Sequence, residues 1–322
     1  MRRVLRTAGL ALAIGLLAAC SDGPTTPPPL VWARVTSPTT ESLYDVWGSS
    51  ATNVWAVGFN GTIVHYDGTR WSRALEGVTH IFRGIWGSGP ADVWVVGFRS
   101  YADARAVIYH FNGQSWRQVT SVADIFSFAP LMDVWGTAAT NVWAVGNGGV
   151  ILRFDGSDWR NASVGPEFTN DAIWGSSSSD AWIVGPRTVL RYNGQGWPAH
   201  ASPVLDSVQL TGGYGTGPTN HWASSVAGGL LHFDGLQWTR LATPSLVGVG
   251  RIRNFWGTGA SRIWGATVGG TFGPGAVVHY DGTTWTIVAR DDLNHHGIWG
   301  HSASDLWAVG ENGVILHGTT AR

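Results

Sequence analysis

The chain contains no lysine, and residue 20 is its single cysteine. Charged residues make up 13% of the 322 residues, about half the usual share for a globular domain, and the formal net charge is −1. A nucleic-acid-binding protein needs a basic stripe that displaces counterions from the phosphates, and 20 arginines balanced by 21 acids provide none. The composition therefore excludes nucleic acid as a partner.

Catalytic motifs are also missing. The sequence has no GxSxG nucleophile elbow, no HExxH zinc motif and no GxxxxGK[ST] phosphate loop. One segment is rich in potential metal ligands, namely Asp291, Asp292, His295 and His296, but a solvated loop explains the same residues. We therefore expect no catalytic residues, no metal site and no cofactor.

Long apolar runs are scarce, and the one near the start, Leu10–Ala19, is too short to span a bilayer. Three arginines precede it within the first six residues, as in the basic region of a signal peptide. The sequence Leu17-Ala18-Ala19-Cys20 resembles the lipobox of bacterial lipoproteins. That resemblance implies that residues 1–19 are removed and that Cys20 is acylated as the new N-terminus, whereas an ordinary cleaved signal peptide is the alternative.

The residues after the cysteine, Ser21–Pro29, are rich in Pro, Thr and Gly, which cannot bury a core. They predict an extended tether, together with Cys20, that holds the following domain off a membrane. The lipoprotein resemblance implies two or three acyl chains, which suffice for stable attachment, and Ser21 favours the outer membrane. We expect a lipid-anchored protein of the bacterial cell envelope with its domain outside the cytoplasm.

One motif recurs seven times in the rest of the chain. An aromatic residue followed by glycine opens each copy, at Trp47, Trp86, Trp135, Trp174, Tyr214, Trp256 and Trp299. A second tryptophan follows eight residues later in every copy, at Trp55, Trp94, Trp143, Trp182, Trp222, Trp264 and Trp307. Six copies then carry Asp-Gly or Asn-Gly and, four residues after the Asp or Asn, a third tryptophan, at Trp71, Trp116, Trp159, Trp197, Trp238 and Trp285.

Each copy, roughly 40 residues long, has the pattern of four short strands separated by turn residues. The last copy ends without a fourth strand or a third tryptophan, and residues 30–35, which include Trp32, match the missing strand. We predict an all-β fold in which residues 30–322 form a seven-bladed β-propeller with four-stranded antiparallel blades. The segment 30–35 would pair with Val314–His317 to complete the last blade and remove exposed sheet edges, with a β-solenoid as the alternative.

Segments such as Asp305–Ile315 (DLWAVGENGVI) resemble the tectonin type of β-propeller repeat, and the likeness extends over almost the whole chain after the tether. Kelch repeats and the sialidase Asp-box are looser matches, because Asp67 and Trp71 are one residue closer than the Asp-box spacing. Tectonins bind bacterial surface glycans, so the resemblance implies a lectin-like role.

The position three residues before each aromatic-Gly pair differs from copy to copy. It lies on the inner strand, which lines the central channel of a propeller, and it is occupied by Tyr44, Arg83, Met132, Asp171, Thr211, Arg253 and His296. A ring of polar and aromatic groups at a channel mouth would form a ligand site, and Arg83, Arg253 and Tyr44 suit an anionic or sugar ligand. Drift at a tolerant position is the alternative.

Extra residues fall in links that emerge on one face of a propeller: 98–105, 120–130 and 270–275. These links carry aromatic and guanidinium groups that the repeat does not need, at Arg99, Tyr101, Arg105, Phe126, Phe128 and Phe272. They are candidate ligand-binding residues, with local packing under each loop as the alternative.

Another position carries a basic residue in all seven copies, at His65, His110, Arg153, Arg191, His232, His279 and His317. A catalytic or metal role repeated seven times is improbable. We interpret these residues as scaffold, with the polar tip at solvent or on a neighbouring blade.

Taken together, these features favour a monomeric, non-catalytic envelope protein with lectin-like recognition of a glycan or envelope component on its loop-rich face. A protein-interaction scaffold for envelope assembly is the alternative, and a sialidase-like glycan hydrolase is the third hypothesis.

Overall fold

The computed structural model describes residues 29–120, 129–165, 168–205, 208–242, 249–269 and 274–320. The strands of these residues form seven antiparallel sheets, the blades of a β-propeller. The first strands contact one another in ring order, and blade seven contacts blade one. The predicted fold class and blade number are confirmed. Within the described ranges, no helix is long and apolar enough to cross a membrane.

The strands of each blade are given in order from the channel outward. Blade one comprises Leu43–Ser50, Asn53–Gly58, Ile63–Tyr66 and Trp71–Arg73. Blade two comprises Ile81–Gly89, Asp92–Phe98, Ala106–Phe111 and Trp116–Gln118. Blade three comprises Leu131–Ala138, Asn141–Gly146, Ile151–Phe154 and Trp159–Asn161. Blade four comprises Ala172–Ser177, Asp180–Gly185 and Thr188–Tyr192.

The remaining blades follow the same order. Blade five comprises Leu210–Gly217, Asn220–Ser225, Leu230–Phe233 and Trp238–Leu241. Blade six comprises Arg251–Gly259, Arg262–Val268, Ala276–Tyr280 and Trp285–Arg290. Blade seven comprises His295–Ser302, Asp305–Gly310, Ile315–Thr320 and Leu30–Arg34. Two 3-10 turns, Asn147–Gly149 and Glu311–Gly313, join the second and third strands of blades three and seven.

The ring closes through the N-terminal strand, as predicted. Leu30–Arg34 pairs antiparallel with residues 316–320, and the Val35 N–H donates to the Ile315 carbonyl at 3.0 Å. The pairing therefore extends further toward the C-terminus than the predicted partner Val314–His317. Trp32 lies opposite Gly318, where a side-chain Cβ would come within 2.7 Å of the indole. A glycine at this point of the third strand lets the indole of the outermost strand pack against it.

The aromatic-Gly pairs are explained by contact between neighbouring inner strands. In blade five Trp174 covers Gly213 and His221 lies against Gly215, but elsewhere the ring of each pair covers the glycine of the next pair. The Trp47 ring covers Gly87 of blade two, and Trp299 of blade seven covers Gly48 of blade one. A Cβ on either of these glycines would lie 2.6 Å from the neighbouring indole, so larger residues cannot occupy the position without displacing the ring. The repeat thus encodes close approach of successive blades.

The second and third tryptophans meet across the blade interfaces. Trp55 of blade one lies edge-to-face with Trp116 of blade two at 5.4 Å between ring centroids, and Trp307 of blade seven contacts Trp71 of blade one at 5.2 Å. Such pairs add stabilisation beyond the burial of apolar area. One apolar cluster at each interface forms the core.

Blade four departs from the four-strand prediction. Its third strand is followed only by a single bridge between Leu190 and Ala199, beside the hydrogen bond from the Arg191 N–H to the Pro198 carbonyl at 3.1 Å. Proline has no N–H to return, so a regular ladder cannot form after Trp197. The third tryptophan of this blade is present, but the strand that should carry it is not.

The repeated basic position is scaffold, although most of its partners differ from the prediction. The side chain stacks on the second tryptophan of its own blade, as His317 does on Trp307 at 3.8 Å, and bonds an Asn or Asp at the start of the second strand. These pairs are His65 with Asn53, His110 with Asp92, Arg153 with Asn141, Arg191 with Asp180, His232 with Asn220 and His317 with Asp305. These bonds keep the polar tips within the blade, but the Arg191 guanidinium also donates to the Pro218 carbonyl of blade five at 3.2 Å and so reaches a neighbouring blade, as predicted.

Candidate functional site at the channel mouth

The variable residues at the channel lie on β-bulges. In six blades the ladder between the first two strands shifts by one residue at the position three before the aromatic-Gly pair, so that residue has no partner of its own. In blade four, the Asp171 N–H donates to the Val184 carbonyl at 2.8 Å, although Val184 already lies opposite Ala172. Bulges redirect a side chain out of the sheet register. The backbone thus presents one variable side chain per blade to the channel.

The structure brings the predicted channel residues together. The guanidinium of Arg83 lies over the Tyr44 ring at 4.6 Å from its centroid. The His296 ring packs edge-to-face with the same tyrosine, at 5.3 Å between ring centroids. Arg253 interacts electrostatically with Arg83 and with Asp171. Side chains from blades one, two, four, six and seven therefore converge on one mouth.

One residue of the loop in blade two reaches the same mouth. Tyr101 is 74% exposed, contacts Phe98 at 5.6 Å, and is close enough to Tyr44 and Arg83 to interact with both. Tyr101, a candidate from the loop face, therefore belongs to the same site as the channel candidates Tyr44 and Arg83.

The two loop arginines are engaged locally. Arg105 donates two hydrogen bonds to the Asp103 carboxylate, at 2.7 and 2.6 Å, and Arg99 lies 3.6 Å from the same group. Their guanidinium groups order the loop that carries Tyr101. Phe126, Phe128 and Phe272 lie outside the described residues, as does Cys20.

A layer of polar residues lies one position deeper than the bulges, and sequence reasoning missed it. Asp45 accepts hydrogen bonds from Val46 N–H, from Ile85 N–H in the next blade and from Asn254 across the channel, at 2.9, 3.0 and 3.2 Å. Asp133 likewise bonds the N–H groups of its own blade and of blade four. These side chains form a floor below the mouth.

A signal for this floor was available in the sequence. In four of the other five copies the corresponding position is glycine or alanine, at Gly84, Ala172, Gly212 and Gly297, and in the fifth it is Asn254. An acid on an inner strand where most other copies need the smallest residues indicates a buried polar role. The Cβ of a larger residue at Gly84 would come within 3.0 Å of the Asp133 backbone, which explains the alternation.

The mouth and the floor together form a cup, in which burial shifts the pKa values of several side chains. Burial raises the pKa of Asp45 to about 7, and it raises the pKa of Asp133 to about 8 with a further contribution from the charge of Asp45. Burial, with the neighbouring charges of Arg83 and Arg251, lowers the pKa of Arg253 to about 10. Burial and the charges of Arg253 and Arg83 lower the pKa of His296 to about 3, so its imidazole is neutral at neutral pH.

Two polar atoms of the cup have no partner. Within the described residues, Nε of Arg83 and Nδ1 of His296 are buried without a hydrogen bond. Buried polar groups are almost always paired, and an unpaired one points to a missing acceptor or donor. The cup therefore offers an unsatisfied guanidinium, a second buried arginine and a neutral imidazole to a ligand.

The four residues of the ligand-rich segment before blade seven lie in three different environments. His295 is fully buried with its Nε2 3.1 Å from the Asp291 carboxylate, Asp292 is exposed, and His296 belongs to the channel mouth. Across the described ranges, no three or more His, Cys, Asp and Glu side chains form a group that could hold a metal ion.

Comparison with known proteins identifies the fold. No protein-family model and no curated protein matches the sequence. The chain is similar to a solved structure of YCF48 bound to D1 peptide, with 20% identity, a TM-score of 0.71, and coverage of 91% of this chain and 100% of that one. It is also similar to streptogramin B lyase (13% identity, TM-score 0.72, 91% and 98% covered) and to the WD40 β-propeller domain of Doa1 (9%, 0.72, 92% and 98%).

Proposed function

We propose that this chain is a non-catalytic binding module that holds a polypeptide partner at the channel mouth, through an acidic side chain of that partner. The observation that carries the proposal is the partly buried Arg83 guanidinium, which lies over Tyr44 with a buried Nε that has no hydrogen bond within the described residues. A buried N–H without an acceptor is unfavourable in the free protein, so a ligand that supplies the acceptor gains affinity there.

The charge balance of the cup favours an anion. Arg83, Arg251 and Arg253 outnumber Asp171, and the pKa values of about 7 for Asp45 and about 8 for Asp133 keep much of the floor protonated at neutral pH. Guanidinium groups bind a carboxylate through two parallel hydrogen bonds, a geometry that a sugar hydroxyl cannot match. An aspartate or glutamate side chain fits this chemistry.

A polypeptide is supported further by the surroundings of the cup. The exposed Tyr101 beside Tyr44 gives an aromatic contact of the kind that anchors peptide ligands. The similar fold of YCF48 is known with a peptide bound. A glycan is the second candidate, because the exposed Tyr101 ring could also stack on a sugar face; the lectin-like role and the tectonin resemblance remain sequence-based hypotheses.

The neutral state of the imidazole supports a non-catalytic role. A general base works best when its pKa is near the working pH, whereas the pKa of His296 is about 3. The floor acids Asp45 and Asp133, with pKa values of about 7 and about 8, are the residues on which the hydrolase hypothesis would rest. Both accept hydrogen bonds from backbone N–H groups of two neighbouring blades, which favours a structural role for them.

The proposal is tested with an array of synthetic peptides in which glutamates are replaced by glutamines at matched positions, probed with the mature chain. We expect binding to glutamate peptides and a loss of about tenfold or more with Arg83→Met, since charged hydrogen bonds contribute about 1.5–3 kcal/mol. Arg117→Met, which changes an exposed arginine on an outer strand, is the matched control. Glutamate-independent binding, or binding of a glycan array that Arg83→Met abolishes, would reject the polypeptide proposal.

We also propose that the module is attached to the bacterial envelope through an acylated Cys20. Cells given a labelled fatty acid should incorporate the label into the wild-type chain, and Cys20→Ala should abolish incorporation and release the protein from the membrane fraction. Label-free wild-type protein that is nevertheless secreted would favour the ordinary cleaved signal peptide.

A further inference from the structure

A second concave site opens on the same face as the channel mouth. It is a pocket of about 740 Å³ between the links that flank blade four, in the size range of pockets that hold whole side chains or small ligands. Its lining is mainly apolar and includes Phe168, Val189, Trp197 and Leu205. It exists because Pro198 ends the ladder where the other blades place a fourth strand.

Hydrogen bonds hold the links that line the pocket in place. Asn170 is 2% exposed, donates its N–H to the Gly146 carbonyl at 3.1 Å and donates its side-chain amide to the Val150 carbonyl at 3.2 Å. On the opposite wall, the His200 N–H donates to the Val189 carbonyl at 2.8 Å. A preformed apolar pocket requires little reorganisation on binding.

Residues that are neighbours in the sequence line the pocket and the channel mouth. Asn170 lines the pocket and Asp171, the next residue, is at the mouth; Gln209 lines the pocket and Thr211, two residues on, is at the mouth. Adjacent Cα atoms are about 3.8 Å apart, so the two sites share one wall. A single extended ligand can therefore occupy both.

The rim of the pocket carries an exposed cation. Arg187 is exposed, lies 6.0 Å from the Phe168 ring, and forms no ion pair within the described part of the chain. An apolar side chain with acidic neighbours complements both the lining and this charge.

We infer that the partner is an extended peptide segment that inserts a bulky apolar side chain into the pocket while an acidic residue a few positions away occupies the channel mouth. The inference rests on the proposed function for the mouth and adds the anchor. A peptide strand advances about 3.3 Å per residue, so the fixed separation of the two sites should select one spacing between the two side chains.

The test uses synthetic peptides carrying one glutamate and one leucine, separated by zero to eight serine residues, and matched peptides with alanine in place of leucine. Fluorescence anisotropy should give one optimum spacing, with weaker binding at both shorter and longer spacings. At that spacing the leucine peptide should bind about tenfold more tightly than the alanine peptide, equivalent to about 1.4 kcal/mol.

A pocket-filling variant isolates the anchor. Ala199→Trp, at an exposed position that lines the pocket, should abolish the preference for leucine and leave the affinity of the alanine peptide unchanged, which also reports that the protein is folded. Leu236→Ser changes an apolar residue that is 89% exposed and lies outside the pocket, and should alter neither affinity.

The outcomes separate the two proposals. Glutamate-dependent binding that ignores leucine, shows no optimum spacing, or keeps its leucine preference in Ala199→Trp would overturn the anchor inference while leaving the proposed function intact. Binding that does not depend on glutamate or on Arg83 would overturn the proposed function itself.

Discussion

Contacts at the blade interfaces are nearly uniform around the ring, whereas at the channel mouth the side chain changes from blade to blade and only arginine occurs twice, at Arg83 and Arg253. The interfaces pair tryptophans of neighbouring blades, and the repeated histidines and arginines stack on a tryptophan of their own blade. The mouth combines Arg83, Tyr44, Arg253 and His296, two of which retain unsatisfied buried atoms. Interface indoles such as Trp55 and Trp307 also have a buried Nε1 without a hydrogen bond among the described residues. What distinguishes the mouth is that its unpaired atoms belong to a guanidinium and an imidazole, which bind polar ligands more strongly than an indole does.

Carboxylates in the two regions also differ. Burial opposes ionisation of Asp180, in the second strand of blade four, but hydrogen bonds from His221, Ser176 and Arg191 outweigh it and lower its pKa. Asp133 in the channel floor receives only backbone N–H groups, and its pKa rises to about 8. The scaffold surrounds its acids with donors, whereas the channel leaves them poorly solvated.

The largest expected effect comes from an interface residue. Trp307 is 1% exposed and contacts Trp71, Tyr66 and His317 at the closure of the ring, so Trp307→Ala should lower the free energy of unfolding by about 3–5 kcal/mol. Urea denaturation measures the change, and Trp116→Ala, at a partly exposed third tryptophan, should cost less. Equal losses, or a loss of peptide binding in the folded Trp307→Ala protein, would remove the distinction between the two regions.

A smaller effect should appear in the pH dependence of stability. Because the pKa of Asp133 is raised in the folded state, the folded protein retains a proton that the unfolded chain releases between about pH 4 and pH 8. Its contribution to stability is therefore lost as the pH rises through that range. Asp133→Asn should flatten the decline measured by thermal unfolding at pH 5 and pH 8, and Asp292→Asn, at an exposed position, should not. An unchanged slope in Asp133→Asn would show that the floor carboxylate ionises normally.

The sequence was sufficient to predict the ring and its closure, because the periodic tryptophans and the strand around Trp32 each have a fixed structural place. The register of closure was predicted a few residues short, since Gly318 could be understood only with the indole placed over it. The missing strand of blade four was not predicted because Trp197 preserves the repeat while Pro198 prevents the ladder.

The site was predictable only in part. The variable position identified Tyr44, Arg83, Asp171, Arg253 and His296, but the bulges that redirect them depend on strand pairing and leave no signature in one sequence. The floor, with Asp45, was not predicted because its hydrogen-bond partners come from other blades, which only the folded ring brings together. The apolar pocket was not predicted because it arises where blade four lacks a fourth strand, and strand pairing cannot be inferred from composition.

The most direct test of the division between scaffold and site compares two arginine substitutions in the mature chain, Arg83→Met at the mouth and Arg153→Met over Trp143. Urea unfolding and glutamate-peptide affinity are measured for both. We predict that Arg83→Met loses peptide affinity by tenfold or more while its stability is unchanged or higher, since an unpaired buried N–H is removed, and that Arg153→Met retains affinity and loses about 0.5–1 kcal/mol of stability. Loss of stability with intact peptide binding in Arg83→Met would contradict the account.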